Sequence, residues 1–152
     1  MTQNDTLALF RQTGALLHGH FILRSGLHSR EFFQCALLLR DTKVAERVCG
    51  ALADQLRSTE FDTVISPALG GILVGQEVAR QLGKPHIFTE KNDTGALVLR
   101  RGFTIKPGER FAVIEDVVTR GGRLMETVDI VQQHGGVVVA AASMVNRSGG
   151  EL

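Results

Sequence analysis

The chain has 152 residues, 43% of them hydrophobic, and its 17 basic and 16 acidic side chains leave a formal net charge of +1. That length fits one domain, 1–152, with a real core, and the composition is that of a folded globular protein rather than a disordered one. Near-neutrality gives no global attraction for nucleic acid or a membrane surface, so any anion site must be built locally, for a small ligand.

The first residues, MTQNDTLALF, are polar and lack the basic and apolar regions of a secretory signal. Leu7, Phe10 and Leu16 predict an amphipathic helix over Asp5 to Leu17. Two strand-like pieces follow, His20 to Leu23 and Glu31 to Gln34, around Ser25 and Gly26. Asp41 and Thr42 are capping residues for a helix through Ser58, with Val44, Val48, Leu52 and Leu56 along one face. Cys35 and Cys49 have neither metal-clip spacing nor a disulfide framework, which indicates core thiols in a reducing compartment.

From residue 63 the pattern alternates. It gives a strand Thr63 to Ser66, a helix Gly71 to Leu82, a strand His86 to Thr89 and a strand-like Ala96 to Arg100. A strand Phe111 to Glu115, a helix Gly122 to Gln133 and a strand Val137 to Val145 complete it. Polar turns at Glu90 to Gly95 and Lys106 to Glu109 bracket a hairpin. Continuous apolar strands separated by helices predict an α/β fold with an open, mostly parallel sheet and helices on both faces. The apolar run from Val137 is far shorter than the roughly 20 residues of a membrane span, so a cytoplasmic protein is expected.

One segment carries most of the chemistry: FAVIEDVVTRGGR, from Phe111 to Arg123. An apolar strand ends in two carboxylates, Glu115 and Asp116, and a Thr and Gly turn leads into a helix. In open α/β sheets ligands bind outside the carboxyl ends of the strands, where helix N-termini offer unpaired N–H groups to an anion. Gly121 and Gly122 let the backbone approach such a ligand closely. Arg120 and Arg123 flank the helix start, where the dipole disfavours cations unless a bound phosphate reverses the sign. The carboxylates cannot serve that anion and need sugar hydroxyls or a metal. Phosphate plus diol indicates a phosphorylated sugar. The alternatives are two solvated surface arginines with Asp116 opening a turn, or a receiver-like domain whose strand-end acids hold a metal.

The acidic pair followed by Thr119, Arg120, Gly121 and Gly122 resembles the phosphoribosyl-diphosphate motif of type I phosphoribosyltransferases. His20 to Phe33, HFILRSGLHSREFF, looks like the N-terminal segment of the family's orotate-specific members. The resemblance implies the family's fold, with a small N-terminal hood of about residues 1–40 over a core of about 41–152. It also implies the reaction: 5-phosphoribosyl 1-diphosphate and orotate give orotidine 5'-monophosphate and diphosphate, a step of pyrimidine biosynthesis, with Mg²⁺ and in a homodimer. The alternatives within this reading are transfer to another base, or a regulatory protein that binds phosphoribosyl ligands without catalysis.

The same resemblance assigns roles. Thr119 to Arg123 cradle the 5'-phosphate, with Val117 and Val118 leading into the turn, while Glu115 and Asp116 bind the ribose hydroxyls and stabilise the cationic sugar. Lys91, with Arg24, neutralises the diphosphate. Phe32, Phe33, Thr119 and Arg147 hold orotate, a planar charged fork suiting a carboxylate beside a ring carbonyl. No direct protein ligand to the metal is expected, because Mg²⁺ keeps water and phosphate oxygens. Glu115, Asp116 and Lys91 are thus the expected catalytic residues.

Three departures from the family pattern stand out. The turn SPALGG, Ser66 to Gly71, falls where the family binds the diphosphate but carries Gly70 where a Lys is common. FTEKNDTGALVLRR, Phe88 to Arg101, falls where the family carries a mobile loop rich in Lys and containing a His; this chain keeps Lys91 but has no His between His86 and His134, with Arg100 and Arg101 as substitute charges. The chain stops at residue 152, short of the further strand usual in the family, as expected of a truncated or a minimal member.

Overall fold

The computed structural model describes residues 1–23 and 26–148. Helix α1 spans Gln3–Gln12, closed at its start by a reciprocal capping box between Thr2 and Asp5. It ends five residues before the predicted Leu17, because Gly14 takes a left-handed φ of 67° and the chain turns back. Leu16 is therefore a strand residue. It opens β1 (Leu16–Ile22), which pairs antiparallel with β2 (His28–Phe33), both arms longer than predicted.

A short helix α2 (Cys35–Leu39), which the sequence pattern does not announce, buries Cys35, Leu38 and Leu39. Helix α3 (Thr42–Leu56) follows the predicted course, with the Asp41 carboxylate accepting from the N–H groups of Lys43 and Val44. Then come β3 (Thr63–Pro67), α4 (Gly70–Leu82), β4 (His86–Lys91), β5 (Leu97–Leu99), β6 (Arg110–Val118), α5 (Gly122–Gln133) and β7 (Val137–Asn146).

The main sheet has the order β5-β4-β3-β6-β7. β3, β4, β6 and β7 run parallel, and β5 returns antiparallel along β4. The predicted hairpin thus lies one element earlier than expected. β4 and β5 are its arms around the Asn92–Ala96 turn, while residues 100–109 form no strand.

Period-two alternation distributes the core. Val64, Ala112 and Ile114 face one side of the sheet with Val74 and Val78 of α4 and Val48 and Leu52 of α3. Ile65, Phe111 and Val113 face the other, against Val131 of α5. Helices therefore cover both faces, as the continuous apolar strands require. No helix among the described residues is long and apolar enough to cross a membrane.

Candidate active site

The cleft lies over the carboxyl ends of β3 and β6, between the β1–β2 pair and the β4–β5 hairpin. Its volume is about 370 Å³. Lining it are Phe32, Phe33 and Gln34 after β2, Ala68, Leu69 and Gly70 after β3, and Lys91 at the end of β4. Glu115 to Thr119, Gly121 to Leu124, Arg147 and Leu23 complete the wall. Nearly every residue expected to bind donor or base thus meets in one cavity. Arg120 is exposed and stands outside its lining. Arg24 falls outside the described residues.

The acidic pair does not sit at a strand end. β6 continues through Val118, pairing Glu115 with Ser143 and Val118 with Asn146 of β7. The strand fixes both carboxylates on the sheet, and local backbone bonds aim them. Glu115 Oε1 accepts from Asp116 N at 3.1 Å, and Asp116 Oδ1 accepts from Val117 N at 2.8 Å. Glu115 is buried, Asp116 half-buried. Beneath them lies the buried thiol of Cys35, whose pKa is raised first by burial and then by the charges of Asp116 and Glu115.

Helix α4 begins against this pair. A Cβ at Gly70 would collide with the Asp116 carboxylate, and one at Gly71 would press on Glu115 Oε1 at 3.2 Å. In this chain, with Asp116 placed as it is, a side chain at Gly70 would displace the acid that the cleft presents. Further along α4, Gly75 gives room to a hydrogen bond of 3.1 Å between Ser66 Oγ and His86 Nε2. Burial pushes the His86 imidazole down to about 4.

Gly121 takes φ 73° as the N-cap of α5 and offers no side-chain cap, so the first-turn N–H groups of the helix start uncapped at the cleft wall. Arg123 reaches the cleft with two of its five donors already committed. Nη1 donates to Glu126 Oε2 at 2.7 Å and Nη2 to Gly95 O at 3.2 Å. Glu126 is not among the site residues expected from the sequence. Its spacing of three from Arg123 on a predicted helix is the signal that could have found it.

Arg147 follows β7, its N–H donating to Val118 O. Its guanidinium crosses to the N-terminal strands, donating to Ser29 Oγ at 2.8 Å and Glu31 O at 3.2 Å, and lies 5.6 Å over the Phe33 ring. Phe33 meets Phe10 edge-on while Phe32 stacks on Phe21. Arg147 and the aromatic pair therefore form one wall. On the opposite side Lys91 is exposed on the hairpin. Arg101 is held by Glu90 in a two-pronged pair at 2.6 and 2.7 Å over Phe88, so its charge is spent within the hairpin. Arg100 is exposed.

Comparison with known proteins agrees with this arrangement. Residues 38–152 match the phosphoribosyl transferase domain family. The chain is 47% identical over 152 residues to the orotate phosphoribosyltransferase of Chlorobaculum parvum, spanning all of this chain and 78% of that protein. It is 49% identical over 150 residues to the enzyme of the same name from Carboxydothermus hydrogenoformans, spanning 97% of this chain and 78% of that one. The solved orotate phosphoribosyltransferase of Aeropyrum pernix superposes with a TM-score of 0.76 at 24% identity, over 93% of this chain and 81% of that chain. A cleft joining a strand-borne acidic pair to an uncapped glycine turn thus sits on a sequence of matching kind, and the chain belongs to the phosphoribosyl transferase domain family, among the orotate phosphoribosyltransferases.

Proposed function

We propose that the chain transfers the 5-phosphoribosyl group from 5-phosphoribosyl 1-diphosphate to orotate, giving orotidine 5'-monophosphate and diphosphate in pyrimidine biosynthesis. The observation that carries this is the shared cleft: Glu115, Asp116, the Gly121–Arg123 turn, Lys91, Phe32, Phe33 and Arg147 all line it. We read residues 1–152 as one domain of the cytoplasm, with the hood at about 1–40 and the core at about 41–152.

Departure of diphosphate from the anomeric carbon leaves positive charge on the sugar and negative charge on the leaving group. Such a reaction is served by positioning and fixed electrostatics rather than by a nucleophilic side chain. The uncapped N–H groups of Gly122 and Arg123 take the 5'-phosphate, with the remaining Arg123 donors beside them. Asp116 and Glu115 hold the ribose hydroxyls, and their charge lies under the developing cation. Lys91 meets the diphosphate as its charge grows. Arg147 and Phe33 hold the base, a cation over an aromatic face beside a carboxylate-bearing ring.

The donor set fits Mg²⁺ carried mainly by its substrate. Two carboxylates, Glu115 and Asp116, offer hard oxygens on the cleft wall. When bound, the ion neutralises diphosphate charge. Leu69 and Leu73, both exposed at the start of α4, support pairing of two copies beside the cleft.

The test is the fall in orotate absorbance when the purified chain meets the donor, Mg²⁺ and orotate, with the product confirmed by mass. Turnover supports the reading. Donor binding without turnover on orotate, but with turnover on another base, replaces the acceptor; donor binding with no turnover on any base replaces the enzyme with a binding protein.

A further inference from the structure

Glu126 lies on α5 one turn after Arg123, half-buried, and its carboxylate serves two partners at once. Oε2 receives Arg123 Nη1 at 2.7 Å, and Oε1 accepts the backbone N–H of Leu97, also at 2.7 Å. Arg123 adds a second tie through Nη2 to Gly95 O at 3.2 Å. Both attachments land on the β4–β5 hairpin. In that hairpin Leu97 is the cross-strand partner of Lys91.

The hairpin needs such a support. β5 has three residues and pairs only with β4, and the turn between them is polar, closed by its own backbone bonds and by the Asn92 side chain, which accepts from Thr94 and Ala96. Short edge hairpins have little stability of their own. Leu97 itself is buried, so its N–H must find an acceptor within the protein, and Glu126 is that acceptor.

We infer that Glu126 is a positioning residue for the transfer reaction, fixing Lys91 relative to the phosphate-binding turn by bridging Arg123 and Leu97. This rests on the role given above to Lys91. Glu126 does not touch substrate; it determines where the hairpin carries the lysine. The same carboxylate keeps Arg123 folded back along α5, and Arg123 is thereby the second link between the helix and the hairpin.

The experiment is a double-mutant cycle on the full chain, read in initial rates with donor, Mg²⁺ and orotate, for Lys91→Ala, Glu126→Ala, Glu126→Gln and Lys91→Ala with Glu126→Ala. Glu126→Ala is expected to lower kcat about tenfold or more with orotate KM within about twofold, as for loss of a group felt in the transition state. Glu126→Gln keeps a carbonyl oxygen for Leu97 and is expected to recover most of that loss. The double variant should be no worse than Lys91→Ala within about twofold, because contacting residues that act as a unit are not additive. If Glu126→Ala multiplies the defect of an impaired Lys91→Ala, the positioning role is overturned and the lysine's role stands. If Lys91→Ala is unimpaired, both fall. Should Glu126→Ala not fold, hydrogen exchange at the Leu97 amide in Glu126→Gln decides: protection like wild type with near-normal kcat supports the bridge, and protection with kcat reduced as far as in Lys91→Ala overturns it.

Discussion

Substituting Gly70 by alanine tests the acidic pair without touching an acid. The added Cβ would stand 2.6 Å from Asp116 Cγ and 3.0 Å from Oδ1, whereas an ordinary contact begins near 3.4 Å, so the carboxylate must retreat by close to an ångström. Its bond to the Val117 N–H, 2.8 Å in the native arrangement, is lost or stretched in the process. A displacement of about 1 Å in a positioning group costs about 100-fold in rate, or about 2.7 kcal/mol of transition-state stabilisation. Helix α4 itself should tolerate the change, since alanine is favoured over glycine in a helix by up to about 1 kcal/mol. The expected outcome is kcat/KM for the donor down by about 100-fold with a thermal midpoint within a few degrees of wild type, read from orotate absorbance and a circular-dichroism melt. A Gly70→Ala variant with kcat/KM within twofold of wild type would refute the placement of Asp116 at the reacting sugar.

Replacing Arg147 with alanine removes two hydrogen bonds to the β1–β2 pair and the cation over Phe33, and should raise orotate KM about 10- to 100-fold with donor KM within about threefold; equal losses for both substrates in steady-state kinetics count against a base-side role. His86 is held near 4 by burial against an ordinary value of 6.5, so between these pH values the unfolded chain binds the extra proton and the native one does not. Stability should therefore be full above about pH 6.5 and decline towards pH 4, and His86→Gln should flatten that part of a melting-temperature profile. Burial pushes the Cys49 thiol up to about 12 and raises Cys35 as well. A disulfide reagent at pH 8 should leave both thiols unmodified until denaturant is added, and stability should fall above about pH 9, where only the unfolded chain ionises, by up to about 1.4 kcal/mol per pH unit for each thiol.

Much of this fold follows from local pattern. Asp41 with the four-residue spacing of Val44, Val48, Leu52 and Leu56 defines α3, and the run Gly122–Gln133 coincides with α5. The acidic segment and the Gly121 turn locate the cleft. Other features depend on tertiary contacts that a single chain pattern does not encode. Leu16 suits the apolar face of α1 as well as β1, and Gly14 decides between them through its backbone angle. α2 is too short for periodicity to register. Glu115 and Asp116 look like a strand end because they are charged, yet β7 supplies a partner that carries β6 past them. Arg123 reads as a free phosphate ligand until Glu126 and Gly95, brought together by the hairpin, take two of its donors.

The placement of the carboxylates inside β6 has a thermodynamic corollary. β6 is an interior strand, paired with β3 along Phe111–Val113 and with β7 through Glu115 to Val118, so the ribose half of the cleft is anchored in the main sheet and opens only when β7 parts from it. Lys91 rides on a short edge hairpin and Phe32 and Phe33 on a separate two-stranded pair, elements that can detach at far lower free energy. On warming, the site should come apart in sequence: amides of β4–β5 and β1–β2 exchange first, those of Glu115 to Val118 last, and catalytic competence is lost some degrees below the temperature at which the sheet melts.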